Sequence, residues 1–316
     1  MPSSKRQWLW LLINIAVLAG IFALVQYMIA TRVLNQYYQI NLTSMCINII
    51  LAVSLNLING FTGQLSLGHA GFMAVGAYVS AVCTKYMDLP FVTAIIAACL
   101  AAALAGFIIG VPTLRLRGDY LAIATLGFGE IIRVILQNIE ELGGPAGILG
   151  ISRLTTWPYL FIATVLTIVV IQNLINSSFG RAIISVREDE VAAEMMGINT
   201  TWYKVLAFII GAGFAGLAGA LFAHYFYIIK PDTFNFLKSF DILVMVVLGG
   251  LGSTTGAVLA AMFITVLTAY LQAFPAIRMI IYALILILVM IYRPQGLLGN
   301  KELSRKTFSR LWGGSA

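Results

Sequence analysis

Nine apolar stretches constrain the fold of this chain more than any other feature, because most of them are as long as a helix that crosses a bilayer. Short polar segments that hold most of the charges separate them. The stretches run approximately over 9–30, 40–58, 65–84, 91–114, 120–136, 159–175, 205–227, 240–272 and 279–292. Only 10% of the residues are charged, whereas a soluble domain has about 25%. The sequence therefore predicts an all-α, polytopic helical membrane protein surrounded by lipid, and it excludes a soluble enzyme.

Charge and cysteine content exclude other classes. The formal net charge is +7, but no basic cluster is interleaved with aromatic residues, so nucleic acid is not an expected partner. The cysteines, Cys46, Cys83 and Cys99, lie in apolar stretches without metal-ligand spacing. We predict that they are packing residues, and that the chain has no metal site and no catalytic residues.

The distribution of Lys and Arg predicts the orientation in the membrane. Lys5 and Arg6 place the N-terminus in the cytosol, and the basic tail over 293–316 belongs on the same side. Nine crossings would place the two termini on opposite sides. Splitting the stretch 240–272 at its glycines gives an even number of crossings and places both termini in the cytosol. We therefore expect about eight to ten transmembrane helices, with both termini in the cytosol.

Two segments interrupt the apolar pattern with glycine and polar residues, and they occupy residues 59–71 and 248–253. Irregular backbone at membrane depth is tolerated where it is buried in protein or lines a cavity. One broken segment in each half is typical of a transport site built from two repeats, so we also predict an internal repeat. The residues expected to line a substrate path are Asn59, Gln64, Ser66, His69, Gly249, Gly250, Gly252 and Ser253.

Other polar residues in the spans have two interpretations, since such groups either bond to neighbouring helices or line a wet path. His69 has a structural alternative, in which it bonds a carbonyl exposed by the break. We predict structural roles for Asn48 and His224. Glu130 and Arg133 are three residues apart on one helix face, where they form an intramembrane ion pair that serves either function or packing.

Small residues recur every four positions in two stretches, a spacing that lets helices approach closely in lipid. They are Gly211, Ala215, Gly219 and Ala223 in one stretch, and Ala98, Ala102, Gly106 and Gly110 in the other. We predict close packing rather than a sliding interface.

The longest polar stretch between spans, residues 176–204, is predicted to be a cytosolic loop. Residues 187–196 are expected to form one short helix that ends at Gly197. Its methionines offer adaptable apolar contact. The helix either docks onto a partner or is part of an ordinary connecting loop.

Several blocks carry a resemblance to a known family. The Ala192-Ala193-x-x-x-Gly197 spacing resembles the coupling motif of ATP-binding-cassette (ABC) importer permeases, although Val191 replaces the usual Glu and Glu190 lies one residue earlier. The blocks at 56–72, 117–127, 143–147 and 248–253 resemble the branched-chain amino-acid permease family in order along the chain. The Arg-Gly-Asp-Tyr sequence within 117–127 looks like the longer, M-type member of the permease pair.

The resemblance implies a single transmembrane permease domain over residues 1–316 of a bacterial inner-membrane importer for leucine, isoleucine and valine. It implies a second permease subunit, two cytosolic ATPase subunits and a periplasmic substrate-binding protein as partners. No Gly-x-x-x-x-Gly-Lys-Ser/Thr loop is present, so ATP and Mg²⁺ are expected on the ATPases and no cofactor on this chain. By the same resemblance, the residues that couple to the ATPase are Arg187, Glu190, Ala192, Ala193, Met196 and Gly197.

Two alternatives remain at this point. An ion-coupled secondary transporter would usually carry several carboxylates within its spans, and Glu130 is the only deeply placed acid. An ABC permease for urea or short amides is the second alternative, because relatives within the family carry such solutes.

Overall fold

The computed structural model describes residues 4–31, 33–113, 116, 118–272, 275–292 and 296. Most of these residues lie in α-helices, which confirms the predicted polytopic helical class. The helices are α1 (Ser4–Ala30), α2 (Gln36–Asn56), α3 (His69–Lys85), α4 (Phe91–Thr113), α5 (Asp119–Asn138), α6 (Trp157–Asn176), α7 (Ser178–Glu188), α8 (Glu190–Met195), α9 (Thr200–Phe226), α10 (Phe236–Gly249), α11 (Thr254–Tyr270) and α12 (Pro275–Tyr292).

Four helical segments among the described residues are long and apolar enough to cross a membrane by themselves. They are Gln36–Phe61, Phe91–Thr113, Trp157–Asn176 and Thr200–Phe226. Ala16–Ala30 and Thr254–Tyr270 are apolar but shorter. The number of crossings, the sidedness of the termini and the internal repeat stay predictions.

Both predicted breaks are present where the glycines lie. A π-helix, Leu57–Phe61, continues α2, and α3 begins only at His69 after an irregular segment. In the second half, α10 ends at Gly249 and α11 begins at Thr254. At 14 residues, α10 is about 21 Å long, which is short of a hydrocarbon core about 30 Å thick.

The prediction of one helix over residues 187–196 is wrong. α7 ends at Glu188 and α8 starts at Glu190, with Asp189 between them in extended conformation. The Asp189 side chain accepts a hydrogen bond from the backbone nitrogen of Ala192 at 3.0 Å, which is the bond of an N-cap. A new helix therefore begins inside the predicted one.

The core is centred on α9, which packs against α2, α3 and α4. Glycines at these contacts leave no room for a side chain. A Cβ atom on Gly106 would lie 2.6 Å from Cβ of Ala212, and one on Gly216 would lie 2.7 Å from the carbonyl oxygen of Ala98. The predicted close packing of the small-residue stretches is confirmed.

Two loops meet at the ends of α5 and α9. Strand β1 (Ile148–Leu149) pairs antiparallel with β2 (Ile228–Ile229). Short 3₁₀ turns over 140–142, 144–146 and 231–234 accompany them. The predicted tail over 293–316 lies outside the described residues apart from Gly296, whose backbone lies against that of Gly250.

Candidate functional site

The two broken segments, which are about 190 residues apart in the sequence, lie against each other. The carboxamide of Asn56 joins them, because its oxygen accepts from the backbone nitrogen of Gly252 at 3.0 Å and its nitrogen donates to the carbonyl of Ser253 at 3.0 Å. Asn56 is fully buried. A Cβ atom on Gly60 would collide with the backbone nitrogen of Gly252. The two breaks therefore meet where Asn56 and Gly60 contact Gly252 and Ser253, and this contact is called the constriction below.

The second break requires glycine at particular positions. Gly250 and Gly252 have φ angles of +109° and +86°, values that side chains other than hydrogen rarely permit. Ser253 then caps α11 by accepting from the backbone nitrogen of Gly256 at 3.1 Å. Gly249 lies against the backbone of Gly256. The glycines thus turn the chain back on itself at the level of Asn56.

In the first break, side chains rather than helical hydrogen bonds pair with the backbone groups. Asn59 accepts from the backbone nitrogen of Ser66 at 3.1 Å and donates to its carbonyl at 3.3 Å. The hydroxyl of Thr125 on α5 accepts from the backbone nitrogen of Leu67 at 3.0 Å. Such partners are needed because unpaired backbone groups away from water cost several kcal/mol each. Asn59 thus shapes the break from within.

Three other predicted path residues are buried beside this break. Gln64 is 4% exposed, and neither atom of its carboxamide has a hydrogen-bond partner. The hydroxyl of Ser66 is also buried without a partner. His69 bonds through Nε2 to the hydroxyl of Ser54 at 2.8 Å, and its Nδ1 has no partner. His69 therefore bonds a side chain of α2 rather than an exposed carbonyl.

The predicted coupling residues form a compact segment over α7 and α8. Ala193 is buried, whereas Ala192 and Met196 are exposed. Gly197 ends α8 with a φ of +82°, and its backbone nitrogen donates to the carbonyl of Glu194 at 2.9 Å. Glu190 pairs with Lys204 on α9 at 2.5 Å. The segment is thereby fixed to the start of α9.

Arg187 connects this segment directly to the first break. Its guanidinium donates to the carbonyl of Gly60 at 3.1 Å and also pairs with Glu188 at 2.5 Å. Gly63, with a φ of +72°, lies so close that a Cβ atom there would be 2.9 Å from Cγ of Arg187. A cavity of about 420 Å³ opens beside these residues and reaches Leu251 of the second break. α7 is therefore in direct contact with the first break.

The Glu130–Arg133 pair is present, with Nε of Arg133 2.7 Å from the carboxylate of Glu130. Arg133 also pairs with Asp232 at 3.0 Å, and Gln137 donates to the same carboxylate at 2.7 Å. Glu130 accepts in addition from the backbone nitrogen of Phe236 at 3.0 Å. The pair thus ties α5 to the start of α10. Sequence reasoning missed Asp232, which is 99 positions from Arg133.

The two residues predicted to be structural make contacts between helices. Asn48 donates to the hydroxyl of Thr265 at 2.9 Å and accepts from Lys238 at 3.2 Å. His224 Nε2 lies 2.9 Å from the hydroxyl of Thr84. Within the part of the chain that the structure describes, no group of His, Cys, Asp and Glu is arranged to hold a metal ion.

These features are those of a polytopic helical membrane permease. Its apolar helices contain two glycine breaks that meet at a buried constriction, and a polar segment contacts the first break. A family model described as the branched-chain amino acid transport system permease component matches residues 37–290. This chain belongs to that family.

Individual relatives agree with this assignment. The chain is 40% identical over 291 residues to the high-affinity branched-chain amino acid transport system permease protein LivM of Salmonella typhimurium, with 81% of this chain and 68% of the relative covered. It is 40% identical over 287 residues to LivM of Escherichia coli K12, with coverage of 80% and 68%. The permease protein LivH of E. coli K12 is 29% identical over 184 residues, or 57% of this chain and 59% of LivH. No solved structure matches the chain.

Proposed function

We propose that this chain forms the path for leucine, isoleucine and valine across the bacterial inner membrane, as the permease subunit of an ABC importer. Its family membership and its 40% identity to two proteins named for branched-chain amino acid transport support the substrate class. Family membership favours this function over an ion-coupled secondary transporter, and the 40% identity to the two LivM proteins favours it over a permease for urea or short amides. ATP hydrolysis then belongs to partner chains, and this subunit is no enzyme.

The partners follow from the same proposal. The similarity to both LivM and LivH supports a pair of related permease subunits, of which this chain is one. Two cytosolic ATPase subunits and a periplasmic binding protein complete the proposed importer. Both termini of this chain then face the cytosol, on the side of the coupling segment.

One observation carries the mechanism: Arg187 of the coupling segment is bonded to Gly60 of the first break. ATPase movement that displaces α7 pulls on this carbonyl, and Asn56 transmits the displacement to the second break. Gln64 and Ser66 then meet water or substrate. That exchange supplies the hydrogen bonds that they lack in the closed constriction, where an unpaired buried polar group costs about 1–3 kcal/mol.

The surface of α8 is suited to docking. Val191, Met195 and Met196 are 62%, 85% and 82% exposed, an unusual exposure for three apolar side chains within six residues. Methionine adapts to a moving partner because its side chain is flexible and polarisable. In this proposal α8 fits a groove of an ATPase subunit.

Affinity purification tests the assembly. The tagged chain is solubilised mildly from its native membrane, and we expect a second permease and ATPases with phosphate-binding loops in stoichiometric amounts. Met196→Glu should remove the ATPases, whereas Met87→Glu, at an exposed methionine beyond α3, should retain them. Recovery of a stable chain that moves solute alone, without ATP, would overturn the proposal in favour of a secondary transporter.

A further inference from the structure

A second cavity, of about 290 Å³, lies between the ends of α1 and α9 and the starts of α2 and α6. None of its lining residues belongs to the constriction or to the coupling segment. Its apolar wall includes Ile29, Leu42 and Leu160, and its polar wall includes Arg153 and Tyr225. The cavity therefore has one end suited to hydrocarbon and one end suited to a polar group.

The polar end holds donors that the protein itself leaves unused. The guanidinium carbon of Arg153 lies 4.8 Å from the ring centre of Tyr225, and Arg153 makes no ion pair with any residue that the structure describes. Tyr225 is 7% exposed, and its hydroxyl is buried without a hydrogen-bond partner. A buried hydroxyl without a partner is rare and indicates a missing group.

Several of the remaining polar groups of the cavity wall are already engaged. Gln39 donates to the carbonyl of Leu34 at 3.0 Å, and Thr155 donates to that of Leu221 at 3.0 Å. No Asp or Glu lines the cavity. The positive charge of Arg153 and the unpartnered hydroxyl of Tyr225 favour an anion, and without a carboxylate the cavity wall has no opposite charge for an ammonium group.

The position of the cavity identifies the source of that anion. It lies at helix ends, where Trp157 and Tyr225 are residues typical of the membrane–water interface. α1 and α6 form its side, and their side chains at Leu24 and Ile162 are 60% and 62% exposed to the surroundings, which is lipid for such helices. A ligand that enters here has a charged head at the interface and an apolar tail beside α1.

We propose that this cavity binds an anionic phospholipid without an amine in its headgroup, such as phosphatidylglycerol. The phosphate accepts from Arg153 and from the hydroxyl of Tyr225, and an acyl chain follows the apolar wall. Arginine suits this role because its planar donors match phosphate geometry. The proposal is independent of the transported solute, so its failure would leave the proposed function untouched.

Native mass spectrometry of the detergent-solubilised full chain, titrated with phosphatidylglycerol or phosphatidylethanolamine, tests the proposal. We expect the wild type to retain one phosphatidylglycerol in preference to phosphatidylethanolamine. Arg153→Gln should weaken retention about tenfold, as the loss of a charge-assisted bond implies. Tyr225→Phe keeps the ring beneath the guanidinium and should weaken lipid retention by a smaller factor. This variant provides the test if Arg153→Gln fails to fold.

Lys230→Gln is the matched control, because it removes one exposed positive charge that does not line the cavity. It should leave retention unchanged. Wild-type retention in both Arg153→Gln and Tyr225→Phe would overturn the proposal, as would equal retention of the two lipids. Displacement of the lipid by inorganic phosphate at equal concentration would show that the site binds a free ion, and it would also overturn the proposal.

Discussion

The bond between Arg187 and Gly60 gives the sharpest test of the coupling route, through Arg187→Met, which keeps most of the chain length and removes the donor. A hydrogen bond from a charged donor contributes about 1.5–3 kcal/mol. The Arg187 side chain is 23% exposed, so water competes, and we expect about 1–2 kcal/mol from a bond of this kind. If this bond exists only in the closed constriction, its loss raises the open fraction about 5- to 30-fold.

Cysteine labelling measures that fraction. The native Cys46, Cys83 and Cys99 are replaced, Ser66→Cys is introduced, and a membrane-impermeant maleimide is added to the cytosolic face of inside-out vesicles. Ser66 is fully buried, so labelling requires opening. When reclosure is faster than the reaction, the labelling rate is proportional to the open population. We expect Arg187→Met to raise the rate about 5- to 30-fold, by the same arithmetic.

Arg181→Met is the matched control. Arg181 lies on the same helix, α7, but among the described residues its side chain bonds the hydroxyl of Ser178, at 2.9 Å, and no residue of either break. The labelling rate in Arg181→Met should equal that of the parent Ser66→Cys chain. Equal labelling rates in Arg187→Met and Arg181→Met, at equal expression, would refute the assignment of Arg187 as the link to the constriction.

Three further perturbations test the surrounding geometry. Asn56→Ala removes both bonds between the breaks and should lower the free energy of unfolding by about 2–4 kcal/mol, measured by thermal unfolding in detergent; Asn41→Ala, which loses one exposed bond within its own helix, should have little effect. Gly60→Ala should abolish uptake of leucine because its methyl group collides with the second break, whereas Gly127→Ala, with open space around its Cβ position, should transport normally. Glu130→Gln should impair uptake by loosening α10 from α5; wild-type uptake at equal expression would exclude a functional role for this residue.

The positions of the breaks could be predicted because their cause is local. Three glycines within four residues, at 249, 250 and 252, interrupt an apolar run and disfavour a single continuous helix. The break within the coupling segment is also local, but it was missed because no glycine or proline marks it. Asp189 is an ordinary charged residue of a surface helix, and only its bond to the backbone of Ala192 shows that it is an N-cap. Aspartate before a short apolar run was the signal available.

The contacts between residues of the site could not be predicted from the sequence. Arg187 and Gly60 are 127 positions apart, and Asn56 and Gly252 are 196 apart. Periodicity and turn chemistry report neighbours within a few residues, whereas such pairs depend on how whole helices pack. The polarity of Gln64 and Ser66 suggested a path, but only the structure shows that their polar atoms lack partners.

The glycine contacts around α9 have a mechanical consequence. Gly76 and Gly219 bring the backbone of α3 directly onto that of α9, and Gly106 does the same for α4. Helices interlocked in this way resist shear, since sliding by one residue would force a methyl group into space that holds only hydrogen. We therefore expect α3, α4 and α9 to move as one rigid unit, and conformational change to be taken up mainly in residues 62–68 and 250–253. We expect the activation enthalpy of transport to respond to substitutions in those two segments and to be insensitive to conservative changes within the three helices.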